Sequence, residues 1–167
     1  KKKINKSKLT FGMVGLIHKS KGSNNFFKAA KLCLDFGYDI EFHYYGDIKS
    51  KKYSLIHKVR KIFNLHEDIS LDLKKLTFSL QLQENIKFFK FSEDLDSIYS
   101  SIDVLCFPSL LNAPGRPVFE AGFFKVPSII AISNPLEDTF IDKVTGLRID
   151  EKDHFDLADK IIYFYKN

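Results

Sequence analysis

Ser101-Ile-Asp-Val-Leu-Cys-Phe-Pro-Ser109, followed closely by Asn112-Ala-Pro-Gly-Arg-Pro-Val-Phe-Glu120, passes from a short apolar run through a turn into helical spacing. Val104 to Phe107 is uninterrupted apolar sequence closed by a proline, the pattern of a strand buried on both faces. Gly115 to Phe124 reads as the next helix, its start fixed by Gly115 and by Pro117, which wastes no helical amide in the first turn. A buried strand running into a helix is the repeating unit of an α/β fold, and the same alternation extends to both sides.

Toward the N-terminus, Leu9 to Ile17 reads as a buried strand. Lys21-Gly22 then opens a helix carrying Phe26, Phe27, Ala30, Leu34 and Phe36, ended by Gly37. Ile40 to Tyr45 is a second strand and Ile86 to Phe91 a third, with helical stretches at Lys51 to Phe63 and Leu71 to Leu82 between them. Leu95 to Ser100 is a short helix. Beyond the quoted stretch come a strand at Val126 to Ile132, a helix at Leu136 to Lys143, a strand at Gly146 to Ile149 and a terminal helix at Asp153 to Tyr165. Strands alternating with helices specify a mainly parallel six-stranded sheet covered on both faces, a Rossmann-like three-layer α/β/α domain over 9–167. Lys1 to Lys8 has five lysines and one apolar residue and reads as a tail or linker.

Composition narrows the class further. With 167 residues and 44% hydrophobic content the chain can bury one core, and its 17 Phe against a single Met and no Trp make phenylalanine the main core filler. The net charge of +5 fits anionic partners without choosing among them. Two cysteines, one in an expected helix and one in an expected strand, give no disulfide framework and suit a reducing compartment. No apolar run approaches the roughly 18 residues of a membrane span, so the chain is expected to be cytoplasmic and soluble. It starts without Met, as a piece of a longer protein would. Lys49 to Lys61 holds six basic residues and no acid, read as solvated lysines, with a membrane surface as the alternative. His18, His43, His57, His66 and His154 are scattered and make no metal cluster.

In a doubly wound sheet the ligand sits beyond the carboxyl ends of the strands where the strand order reverses. Three loops are candidates: Gly15 to Gly22, Pro108 to Gly115 and Ser133 to Asp138. The second suits an anion, since Gly115 lets backbone approach closely while free amides and the helix dipole attract phosphate oxygens. Arg116 adds a charge there, and Glu120, one turn on, is placed to accept hydrogen bonds from a ribose diol.

Taken in order, Ser101 to Ser109, Gly115 to Ala121, Val126-Pro-Ser-Ile-Ile130 and Thr145-Gly-Leu147 resemble the retaining GT-B glycosyltransferases of family 4. The resemblance covers the C-terminal domain of that family, from about Leu9 onward. It implies a donor site for a nucleotide-diphosphate sugar, a preceding domain that brings the acceptor, no metal or other cofactor, and no nucleic-acid partner. In the family two glutamates with seven residues between them flank the glycine. Glu120 matches the second, which holds the ribose, whereas Asn112 stands at the first, which contacts the sugar. An arginine follows the glycine that ends the first strand, here Gly15, and a lysine comes five residues later. Leu16 replaces the arginine and Lys21 matches the lysine, with His18, Lys19 or Arg116 available to compensate. The nucleobase slot falls at Lys90-Phe91-Ser92, where Phe91 is a stacking platform or a core residue.

The resemblance therefore makes Lys21 and Arg116 the catalytic charges, with the amides of Gly115, Arg116 and Val118 around Pro117, neutralising the leaving diphosphate while a hexosyl group moves. Each assignment has a plainer competitor: a dipole-favoured helix acid for Glu120, solvated charges for Lys21 and Arg116, a loop cap for Asn112. A binding domain without turnover and a sugar-nucleotide epimerase of similar build are the competing functions.

Overall fold

A computed structural model describes residues 8–15, 19–46, 75–90, 92–111, 115–149 and 153–167. Six strands form one sheet: β1 (Leu9–Val14), β2 (Ile40–Tyr45), β3 (Ile86–Phe89), β4 (Val104–Phe107), β5 (Ser128–Ile130) and β6 (Gly146–Arg148). Their order is β3-β2-β1-β4-β5-β6 and every pairing is parallel. The order therefore reverses between β1 and β4, which pair through Phe11 opposite Val104 and Gly12 opposite Leu105. The fold is the Rossmann-like three-layer architecture expected from the alternation of strands and helices.

Helices α1 (Ser23–Asp35) and α4 (His154–Lys166) cover one face, and α2 (Leu95–Ser101) and α3 (Arg116–Phe123) the other. Alternation along each strand divides the core between them. Phe11 and Met13 of β1, Phe42 and Tyr44 of β2 and Cys106 of β4 join Phe26, Phe27, Ala30 and Cys33 of α1 with Leu157 and Ile161 of α4. Val14, Tyr45, Leu105, Phe107 and Ile130 turn the other way, onto Ile98 and Tyr99 of α2 and Val118 and Ala121 of α3. Both cysteines are buried free thiols, one in α1 and one in β4.

Local chemistry sets the helix starts. Asp94 caps α2 by accepting from the Ser97 amide at 3.1 Å, and Asp153 caps α4 by accepting from the Phe155 amide at 2.7 Å. Gly115 is the N-cap of α3, with Pro117 in its first turn.

Several expected elements end differently. The stretch 136–143 is not a helix but successive turns. The Thr139 and Phe140 amides both reach the Leu136 carbonyl at 2.9 Å, after which Thr145 Oγ1 takes the Ile141 amide at 2.9 Å and Lys143 stands at φ 63°. A side-chain acceptor has displaced the helical one, as threonine does where the backbone has an alternative. Strand β5 starts only at Ser128, after Pro127, which has no N–H to give a ladder, and ends at Ile130. Strand β1 stops at Val14, ahead of Gly15. The helix expected over 71–82 is helical at 75–79, and residues 71–74 lie outside the described part. The tail at 1–7, the helix expected at 51–63 and the basic stretch 49–61 also lie outside it. No helix among the described residues is long and apolar enough to cross a membrane.

Candidate functional site

The reversal of strand order between β1 and β4 brings their following loops into direct contact. The Leu110 amide donates to the Ser20 carbonyl at 2.8 Å, and the buried Ser109 hydroxyl reaches the same oxygen at 3.3 Å. Gly22 sits at φ 76°, and a Cβ on it would lie 1.7 Å from the Pro108 carbonyl oxygen. Only glycine fits: the backbone is left-handed and the neighbouring loop fills the side-chain space.

Within this junction the short 3-10 turn Lys19–Lys21 places the Lys21 ammonium over the Phe107 ring, 5.8 Å from its centroid. Phe107 ends β4, and its edge packs on Gly115, where an added Cβ would lie 2.6 Å from Cε1. One aromatic ring thus connects the lysine after β1 to the glycine that starts α3. Cation–π contact holds the ammonium at the sheet edge without neutralising it, so its charge remains available to an anion.

The start of α3 narrows the set of backbone donors. Pro117 has no N–H, and the amides of Val118 and Phe119 are given to the Gly115 carbonyl at 2.8 and 3.3 Å. Gly115 and Arg116 are the remaining first-turn amides, and the helix dipole raises the local potential there. Val118 itself faces the core and is buried.

Glu120 lies one turn into α3 with its side chain 13% exposed. Its Oε1 pairs with Arg116 Nε at 3.1 Å, and the Arg116 side chain is 74% exposed. Its Oε2 accepts a hydrogen bond from the Tyr99 hydroxyl at 2.8 Å. Arg116 therefore joins the two groups, since it follows Gly115 in the chain and contacts the glutamate. Burial, then the hydrogen bond to Glu120, pushes the Tyr99 phenol well above its ordinary range and keeps it a proton donor.

Gly15 also reaches this edge, where its amide donates to the Tyr45 carbonyl at 2.9 Å. Phe91, Asn112, Leu16 and His18 lie outside the described residues. Asp138 is found elsewhere, on the rim of a cleft of ≈ 310 Å³ between Phe119 and Phe123 of α3 and the turns at 137–140. That cleft reaches Ser128 and Thr145 beside the amino ends of β5 and β6, the edge opposite Lys21 and Gly115. No group of three or more His, Cys, Asp or Glu side chains suited to a metal ion occurs among the described residues.

Tyr99 is the site residue that sequence reasoning missed. The helix Leu95 to Ser101 is too short for periodicity to say which neighbour its tyrosine meets, and the contact spans 21 positions. A tyrosine on the apolar face of a helix just before the quoted strand was the available signal.

A parallel sheet in this order, with glycine-tight loops and a helix start meeting at its reversal, defines a Rossmann-like α/β domain. Residues 1–167 match the family described as glycosyl transferases group 1, and the chain belongs to that family. Among its relatives is the capsular polysaccharide biosynthesis glycosyltransferase CapM of Staphylococcus aureus, 24% identical over 159 residues, which cover 95% of this chain and 37% of CapM. The fold is shared with HepE of Anabaena, solved with UDP and glucose, at a TM-score of 0.77 and 18% identity over 96% of this chain and 39% of HepE. It is shared equally with the C-terminal domain of the group 1 glycosyl transferase LpcC of Francisella tularensis, at 0.76 and 21% identity over 95% of this chain and 76% of that one. The chain thus spans well under half the length of CapM and of HepE.

Proposed function

We propose that this chain is the donor-binding, C-terminal half of a retaining glycosyltransferase that moves a hexosyl group from a nucleotide-diphosphate sugar to a glycan or lipid-linked acceptor. The observation that carries the reading is the junction of the β1 and β4 loops, where Phe107 sets Lys21 against the start of α3. An ammonium group and first-turn amides on one rim are what a pyrophosphate needs, and a half-buried carboxylate one turn away is what a ribose diol needs. Support comes also from HepE, which was crystallised with UDP and with UDP-glucose, and from the role in capsular polysaccharide biosynthesis that CapM's name gives it.

In this reading no side chain of the domain attacks the sugar. As the glycosidic bond breaks, negative charge grows on the departing diphosphate, and Lys21, Arg116 and the Gly115 and Arg116 amides stabilise it from fixed positions. The preorganised charges replace a metal ion, so binding measured in EDTA keeps its full strength. The acceptor, and any group that takes its proton, belong to another domain of the same protein, and this chain by itself transfers nothing. The assembled enzyme works at the cytoplasmic side, with the membrane surface as the place where a lipid-linked acceptor is met.

Calorimetric titration with UDP-, GDP- and ADP-sugars tests the proposal. Saturable binding of one of them, weakened at least tenfold by Lys21→Ala, is expected. Absence of binding to all three overturns it.

A further inference from the structure

Glu120 is held from two sides, and the two holds differ in kind. On the solvent side Arg116 is exposed and its pair with Oε1 is the sort of surface contact that a ligand displaces at small cost. On the inner side Tyr99 is 1% exposed, its ring stacks on Phe124 with centroids 5.4 Å apart and planes 15° from parallel, and its hydroxyl lies 2.8 Å from Oε2. The same hydroxyl is 3.2 Å from the Pro117 carbonyl, so the phenol oxygen is anchored to the first turn of α3 as well as to the carboxylate. A phenol has one proton, and an ionised carboxylate is the stronger acceptor.

We propose that Tyr99 is a positioning residue: by fixing Oε2 from the core side it turns Oε1 outward toward the hydroxyls of a nucleoside ribose, where the ligand replaces Arg116. This rests on the donor-site reading above. Tyr99 touches no ligand. It acts by reducing the conformers open to a carboxylate that would otherwise rotate about three side-chain bonds, and by removing one oxygen from the competition. Arg116 follows Gly115 in the chain, so a guanidinium released from Oε1 is free to turn toward the amides assigned to the diphosphate. Recognition of the ribose and neutralisation of the phosphates are thereby coupled through one side chain.

The test measures the chain's affinity for UDP, GDP and ADP, for the 2′-deoxy and 3′-deoxy form of whichever binds best, and for inorganic pyrophosphate, in wild type, Tyr99→Phe, Glu120→Gln and the double variant. In wild type the ribose form is preferred. Tyr99→Phe keeps the stacked ring and should cut that preference about fivefold to tenfold, the size of one ordinary intramolecular hydrogen bond, while pyrophosphate affinity stays within about twofold. The double variant should lose no more than Glu120→Gln alone, because the phenol acts only through the carboxylate. Should Phe at position 99 loosen the domain, 3-fluorotyrosine there keeps the packing and, as a stronger donor, should hold or raise the preference. An unchanged ribose preference in Tyr99→Phe, or an equal loss of pyrophosphate binding, overturns the proposal. A wild type that binds nucleotide but prefers no ribose form, or whose preference survives Glu120→Gln, overturns the Glu120 assignment and Tyr99 with it, leaving the donor site standing. A wild type that binds none of the probes overturns the donor site itself.

Discussion

The two faces of the sheet are built to different rules. On the α1 and α4 side the packing is aromatic hydrocarbon: Phe26 meets Phe42 edge-on at 5.7 Å, and Phe27 contacts both Tyr44 and Phe88. The Tyr44 hydroxyl on that side is satisfied by Ser23 at 3.0 Å, inside the layer. On the α2 and α3 side the aromatic residues also meet partly exposed or charged groups. Tyr45 meets Ser101 at 2.5 Å, Tyr99 meets Glu120, and Phe107 carries Lys21 on its ring. The lesson is that one face stabilises the domain while the other aims polar groups at the edge where α3 begins.

The sharpest separation comes from the first face. Phe26→Ala removes a fully buried ring and should cost about 3–5 kcal/mol in urea unfolding, with nucleotide affinity of the remaining folded protein unchanged. A parallel fall in affinity would erase the distinction. Gly22→Ala attacks the junction itself: a left-handed backbone and a blocked Cβ position should cost about 1–3 kcal/mol and weaken nucleotide binding at least tenfold, read by the same titration. Phe107→Leu, on the second face, keeps most of the buried volume and should lose under about 1.5 kcal/mol, yet weaken pyrophosphate binding severalfold because Lys21 loses its platform.

The thiols of the first face respond to pH in a defined direction. Burial, with Asp159 adding a smaller push, raises Cys33 to about 12, and burial drives Cys106 well above its ordinary value. A raised thiol contributes stability that is complete below the unfolded value near 9.0 and is lost as pH climbs toward 12. Stability should therefore decline from about pH 9 upward, and both thiols should resist a disulfide reagent at pH 8 until the chain is denatured. The smallest effect is expected at Glu41, held below its usual value first by the hydrogen bond from Lys87 and then by His43. Glu41→Gln should change stability by no more than about 1 kcal/mol, and only above the pH at which the carboxylate ionises, since a lowered carboxylate loses its contribution as pH falls below 4.5.

Strands β1, β2 and β4 were legible because each is a short, largely apolar run stopped by Gly15, Gly46 or Pro108, and the order of elements alone implied a parallel sheet. Gly115 and Pro117 marked the helix start for the same reason: one residue of each type has few other uses in that position. The turns at 137–140 were not legible, because Leu136 and Phe140 have helical spacing while the deciding contact is the Thr145 hydroxyl on the Ile141 amide. At the site, Glu120 could be singled out by its place one turn into the helix and Lys21 by the family resemblance, but what holds them could not. Phe107 and Tyr99 look like ordinary core residues in the sequence, and their roles depend on which neighbour the topology brings to each ring.

The carbonyl of Pro108 fills the space that any side chain at position 22 would need. The segments Ser20 to Gly22 and Pro108 to Leu110 are consequently set against each other before anything arrives, so a ligand touching them spends none of its affinity on bringing those two segments together.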